Sequence, residues 1–70
     1  MTVAKIIEIV GCSSKSFNDA IKNGVKTAQK TIRNIRGAHI LGKNVKIRDD
    51  KIIEYRVNMK LSFGVEEKED

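Results

Sequence analysis

Residues 54–63 read EYRVNMKLSF, and within them Tyr55, Val57, Met59, Leu61 and Phe63 alternate with Glu54, Arg56, Asn58, Lys60 and Ser62. A period of two sends successive side chains to opposite faces of an extended chain, so this stretch predicts a strand with one apolar and one polar face. An apolar sheet face must be covered, and the segment able to cover it lies upstream. Phe17, Ala20, Ile21, Gly24, Val25, Ala28, Ile32 and Ile35 recur in steps of three and four, the stripe of a helix of about five turns. Ser13 or Ser14 is placed to cap its start and Gly37 to end it. Gly24 falls on the stripe itself, where it costs about 1 kcal/mol relative to Ala. Close approach of the helix backbone to a strand is the expected compensation.

The remaining elements frame this pair. Residues 2–10, TVAKIIEIV, are rich in β-branched side chains and are expected to form a strand closed by a turn at Gly11. Ile6 and Ile7 are adjacent and break the alternation, which is expected of a strand covered on one face by its own core and on the other by a neighbouring subunit. Ala38 to Arg48 reads as a further strand with a bulge or bend at Gly42, and Asp49–Asp50 is the turn that makes a hairpin with the last strand. The order is strand, helix, strand, strand, an α+β arrangement in a single domain. Residues 1–65 hold the fold, and 66–70 form an acidic, solvated tail.

With 70 residues and three aromatics, Phe17, Tyr55 and Phe63, the core is thin. A chain of this size removes only about 60% of its unfolded surface from water and usually needs a staple. Cys12 is the sole cysteine and His39 the sole histidine, which excludes an intrachain disulfide and a Cys/His zinc cluster. Self-association is the staple that remains. The N-terminal apolar run contains Lys5 and Glu8 and is too short for a signal sequence or a membrane span, so a cytoplasmic protein is expected. The net charge of +5 permits anionic partners without choosing among them. Lys22, Lys26, Lys30 and Arg33 form a basic row at helical spacing that reads as a solvated face. A nucleic-acid module built on that row is the alternative, and the lack of aromatics beside it argues against one.

IVGCSSKSFNDAI (residues 9–21), NVKI (44–47) and EYRVNMKLSF (54–63) together, in this order and spacing, resemble the dodecins, small proteins that sequester flavin. The resemblance covers residues 3–65. It implies a β-α-β-β subunit whose three-stranded antiparallel sheet wraps partly around one long helix, twelve such subunits forming a hollow homododecamer, and FMN or riboflavin stored rather than used in catalysis. It further implies paired flavins at subunit contacts, stacked on a Trp that opens the second strand and hydrogen-bonded by a Gln nineteen residues later. In this chain those positions are Gly37 and Arg56. A third pocket position, acidic in some archaeal members, is Lys46. The chain thus resembles a divergent, archaeal-type member without the flavin-stacking Trp or the flavin-edge Gln.

Glycine offers a flat ring no stacking surface, whereas a Trp buries roughly 150–250 Å². Arg56 can only donate, where Gln both donates and accepts. His39, two residues beyond Gly37 in an extended strand, shares its face and is the one imidazole able to stack or titrate near neutrality. Arg56 is expected to pair with Glu54 or Glu8. Gly37, His39, Lys46 and Arg56 are therefore the candidate ligand-binding residues. Asp49 and Asp50 are the candidate metal ligands, with calcium as the ion, although two carboxylates are too few unless a symmetry axis multiplies them. Cys12 reads as a small buried hydrophobe. Ser13, Ser14 and Ser16 have no acid–base partner and read as caps, so catalysis is not expected. The function expected is a non-enzymatic, oligomeric binding and storage protein whose usual flavin site is lost, the alternatives being a calcium- or other ion-binding assembly and flavin binding retained in altered form.

Overall fold

In the computed structural model, which describes residues 2–66, the chain forms β1 (Thr2–Ser13), α1 (Phe17–Ala28), β2 (Ile35–Arg48) and β3 (Lys51–Glu66). Tail residues 67–70 lie outside the described residues. The sheet is antiparallel with strand order β1-β3-β2, so the strand read most clearly from the sequence is the central one. Its odd-numbered residues face α1. Val57, Met59 and Leu61 are fully buried there with Ala20, and Ile7, Ile9, Phe17, Ile21, Val25, Ala28, Ile35 and Ile40 pack around them. The even-numbered residues Arg56, Asn58, Lys60 and Ser62 form the outer face, together with the residues opposite them on β1 and β2.

The helix is shorter than its apolar stripe predicts: 12 residues rather than about five turns. Its N-cap is Ser16, whose Oγ accepts from the Asp19 backbone N–H at 3.0 Å. Ser13 and Ser14 are not the cap. The Ser13 hydroxyl donates to Asp19 Oδ2 at 2.6 Å and accepts from the Lys15 N–H at 2.9 Å, which fixes the turn from β1 into α1. At the other end, Gln29 to Thr31 turn away, and Asn34 takes a left-handed backbone, φ 63°. Ile35 then enters β2 opposite Phe63 instead of extending the helix. Gly37 is accordingly not a helix stop, since it lies inside β2 without a positive φ. The basic row is broken for the same reason: Lys22 and Lys26 lie on α1, while Lys30 and Arg33 lie beyond it.

Gly11 is not a turn either. β1 runs on to Ser13, and Gly11 marks where α1 comes down onto the strand. A Cβ there would stand 2.2 Å from the Ala20 carbonyl oxygen and 3.1 Å from the Met59 Cε. Across the contact, a Cβ on Gly24 would meet the Gly11 Cα and Met59 Cε at 3.2 Å, the close approach expected of a glycine on the stripe. The hairpin is as read, with Asp49 and Asp50 both left-handed, φ 51° and 62°, the geometry of a two-residue type I′ turn. Register shifts at Ile35/Gly37 and Ile40/Gly42 leave Arg36 and Leu41 as the extra residues of two bulges on β2, the second at the glycine where the sequence predicts one.

The subunit is elongated. Its radius of gyration of 14.9 Å exceeds the roughly 11 Å of a compact chain of this length. Ile6 and Ile47 are each 64% exposed, and Val10, Leu41 and Ile52 are also open to solvent. No helix among the described residues is long and apolar enough to cross a membrane.

Because the clash at Gly11 is with helix backbone, which cannot rotate away, Gly11→Ala is expected to destabilise the fold by about 3 kcal/mol or more. At Gly24 the neighbours are mainly flexible side-chain ends and Ala has the better helix propensity, so Gly24→Ala is expected to cost less than about 1 kcal/mol. Urea unfolding of the two variants checks the order. Equal effects would show that the contact does not hinge on Gly11.

Candidate functional site

The outer face of the sheet carries the site residues expected from sequence, divided between its two ends. At one end, Gly37 lies opposite Ser62 and His39 opposite Lys60. With Ile6 from β1 and Ala38 they line a concavity of about 360 Å³. Gly37 and His39 therefore share a face, as their spacing implies. Above Gly37 the nearest group is the Ser62 hydroxyl, 3.0 Å from where a Cβ would stand, and this hydroxyl donates weakly to the Gly37 carbonyl at 3.5 Å. Lys60, Ser62 and Ile6 complete this end. Sequence spacing did not single them out, because their position depends on cross-strand register.

At the other end, Lys46 lies opposite Glu54, and Arg56 lies between Asn44 on β2 and Cys12 on β1. Arg56 Nε donates to Glu54 Oε1, so of the two pairings expected for Arg56 it is the one with Glu54 that forms. The hydrogen bond from Arg56 holds the Glu54 carboxyl below its ordinary value, with the charges of Arg56 and Lys46 adding to the effect. The same bond raises Arg56. Cys12 is exposed on the outer face, not buried as read from sequence, because β1 continues past Gly11 and its alternation turns the thiol outward.

Along β3, Arg56 is six residues from Ser62, the partner of Gly37, a separation of about 20 Å. One subunit thus does not bring Gly37 and Arg56 together over a small ring. Asp49 and Asp50 are further away still, exposed at the hairpin tip, and the described residues contain no group of three or more Asp, Glu, His or Cys side chains that could hold a metal ion. The aromatic rings are on the helix side. Phe17 and Tyr55 meet edge to face with centroids 5.0 Å apart, and the Lys43 ammonium lies 5.3 Å above the Phe17 ring.

Comparison with known proteins bears on this geometry. A family model described as Dodecin matches residues 3–66. The calcium dodecin of Mycobacterium tuberculosis is 30% identical over 63 residues, covering 90% of this chain and 89% of that protein. Among solved structures, dodecin from Streptomyces coelicolor superposes with a TM-score of 0.92 at 27% identity, over 96% of each chain. The crystal structure of the Mycobacterium tuberculosis calcium dodecin, described as having a novel calcium-binding site, superposes with a TM-score of 0.81 at 26% identity, over 97% of each chain.

The Arg56–Glu54 pair makes a pH-dependent contribution whose sign follows from the lowered Glu54 value. The contribution is complete above the ordinary carboxylate value of 4.5 and is lost as pH falls through the lower folded-state value. In Arg56→Gln, Glu54 is expected to titrate at a higher pH than in the parent. Side-chain carboxyl shifts followed by NMR between neutral and acid pH check this. An unchanged Glu54 midpoint would show that the pair does not persist in solution.

Proposed function

The chain belongs to the dodecin family, and on that premise we propose that it is a non-enzymatic binding and storage protein, acting as a homo-oligomeric shell whose flavin stack has been lost. The observation that carries this reading is the empty position at Gly37. Its backbone is extended, and the only group within 4 Å of its missing Cβ is one hydroxyl. With Phe17 and Tyr55 engaged with each other on the opposite face, the imidazole of His39 is the only ring at the concavity. A flavin would have no aromatic floor, and where the family's edge amide is expected it would meet Arg56 bound to Glu54, with the Asn44 and Asn58 amides beside it bonded to each other. Assembly is supported by the elongated shape, the exposed isoleucines and the unpaired outer edges of β1 and β2.

Purified without added ligand, the protein is expected to be colourless and larger than a monomer by light scattering. Gly37→Trp combined with Arg56→Gln is expected to tighten FMN or riboflavin binding by at least about tenfold, read as quenching of flavin fluorescence. Stoichiometric flavin in the unmodified protein would overturn the loss of the stack, and a monomer would overturn the shell.

A second reading, calcium binding, is favoured by the likeness to the Mycobacterium tuberculosis calcium dodecin. Calcium takes 6–8 oxygen ligands, which the adjacent carboxylates of Asp49 and Asp50 do not supply within one subunit. On this reading the hairpin tips of neighbouring copies complete the site. Calcium uptake after chelator treatment, measured by calorimetry, is then expected in the assembled protein and lost in Asp49→Asn/Asp50→Asn. Uptake that survives this double substitution would place the ion elsewhere.

A further inference from the structure

Two basic side chains and a hydroxyl line the concavity at Gly37, and a third basic side chain, Arg36, lies over the neighbouring Gly64. His39 and Lys60 line it as a cross-strand pair, and Ser62 faces them. The guanidinium of Arg36, the extra residue of the first bulge, lies across Gly64, the next residue along the same face from Ser62. Its Cζ is 3.3 Å from where a Gly64 Cβ would stand. Ordinary alternation would send the residue next to Gly37 to the other face; the bulge is what frees Arg36 to lie over Gly64. Glu8 on β1, in register with Lys60, borders the group. Among residues 3–65, whose side chains are described, no carboxylate is within 4.0 Å of the Arg36, His39 or Lys60 side-chain nitrogens, the ion pair formed being Arg56 with Glu54.

From this placement we infer that the concavity is an anion site for a single phosphate group, held by Arg36, His39, Lys60 and Ser62. The inference rests on the reading that the flavin stack is gone, since a ring stacked at Gly37 would fill the same space. Guanidinium, ammonium and hydroxyl groups are hydrogen-bond donors suited to a phosphate dianion, and the imidazole adds a donor from one of its nitrogens. The missing side chain at Gly37 opens the floor to close approach. A space of about 360 Å³ takes the phosphate and leaves room for the alcohol of a monoester. Without an aromatic floor the site favours a compact anion over the bases of a nucleic-acid strand.

The test is calorimetry on the full chain, prepared in phosphate-free buffer, with inorganic phosphate and glycerol phosphate as probes. Saturable uptake of about one phosphate group per subunit is expected, weakened by at least about tenfold in Arg36→Ala and in Lys60→Ala. Lys26→Ala, on the solvent face of α1, is expected to leave it unchanged. Tighter binding of inorganic phosphate identifies the free ion as the source, and tighter binding of glycerol phosphate identifies an ester. Absence of saturable uptake of either probe by the parent protein overturns the site, as does a Lys26→Ala effect as large as that of Lys60→Ala. Flavin absorbance and light scattering on the same samples separate the two readings. A yellow preparation overturns the lost stack, whereas a colourless, assembled protein that ignores phosphate overturns the anion site alone.

Discussion

The fold depends on backbone meeting backbone where α1 crosses β1. Gly11 and Gly24 remove side chains from both sides of that crossing, and the methyl of Met59 fills what remains. Once the helix is seated there, Val57, Met59 and Leu61 on the central strand are covered and the alternation of β3 has one possible outcome. Its apolar residues are spent on the helix, and its polar residues make the middle of an open outer face. Every candidate ligand position is disposed by that division. Gly37, His39, Lys46 and Arg56 all lie on the face the helix does not touch.

The same crossing explains why the subunit is incomplete by itself. A 12-residue helix covers about 18 Å of a sheet whose strands run to 16 residues. The end of the sheet carrying the β2–β3 hairpin therefore extends beyond any cover, with Ile47 and Ile52 paired and exposed there. Ile6 and Val10 are exposed on the outer face of β1 for a different reason: that face has no second layer. Burial of such groups is worth roughly 25 cal/mol per Å², and on the proposed assembly a second copy of the chain would supply the surface for Ile47 and Ile52 without any further sequence.

What the sequence made legible follows from which signals were local. The alternation of residues 54–63 and the Asp49–Asp50 turn are complete within a few residues, and both are found where they were read. The helix was overread because Ile32 and Ile35 keep its spacing. Nothing in that spacing reveals that Asn34 turns left-handed and that its carbonyl accepts from the Gly64 N–H at 3.1 Å, drawing Ile35 into the sheet. Gly11 and Gly37 read as punctuation in the sequence because glycine often is. For Gly11 the reason lies in the helix backbone packed onto it, while across from Gly37 stands only the Ser62 hydroxyl.

The candidate site shows the limit most sharply, through parity. In an unbroken strand, Gly37 and His39 would share a face and Lys46 would lie on the other, since 39 and 46 differ by an odd number. The extra residue at Leu41 reverses the alternation, so that Gly42, Asn44 and Lys46 fall on the side of Gly37 and His39, opposite Asn58, Arg56 and Glu54. The bulge thereby collects His39, Lys46, Arg56 and Lys60 onto one surface, with Glu8 and Glu54 as the acidic residues of their registers. That surface has the bare backbone of Gly37 at one end and a neutralised Arg56 at the other. An aromatic ligand finds a single imidazole, His39, at the first, and Arg56 held by Glu54 beside the Asn44–Asn58 amide pair at the second. The anion reading rests on His39 and Lys60 at the first, where no carboxylate of residues 3–65 comes within 4.0 Å of their nitrogens, and so on this asymmetry along β3 rather than on the net charge of the chain.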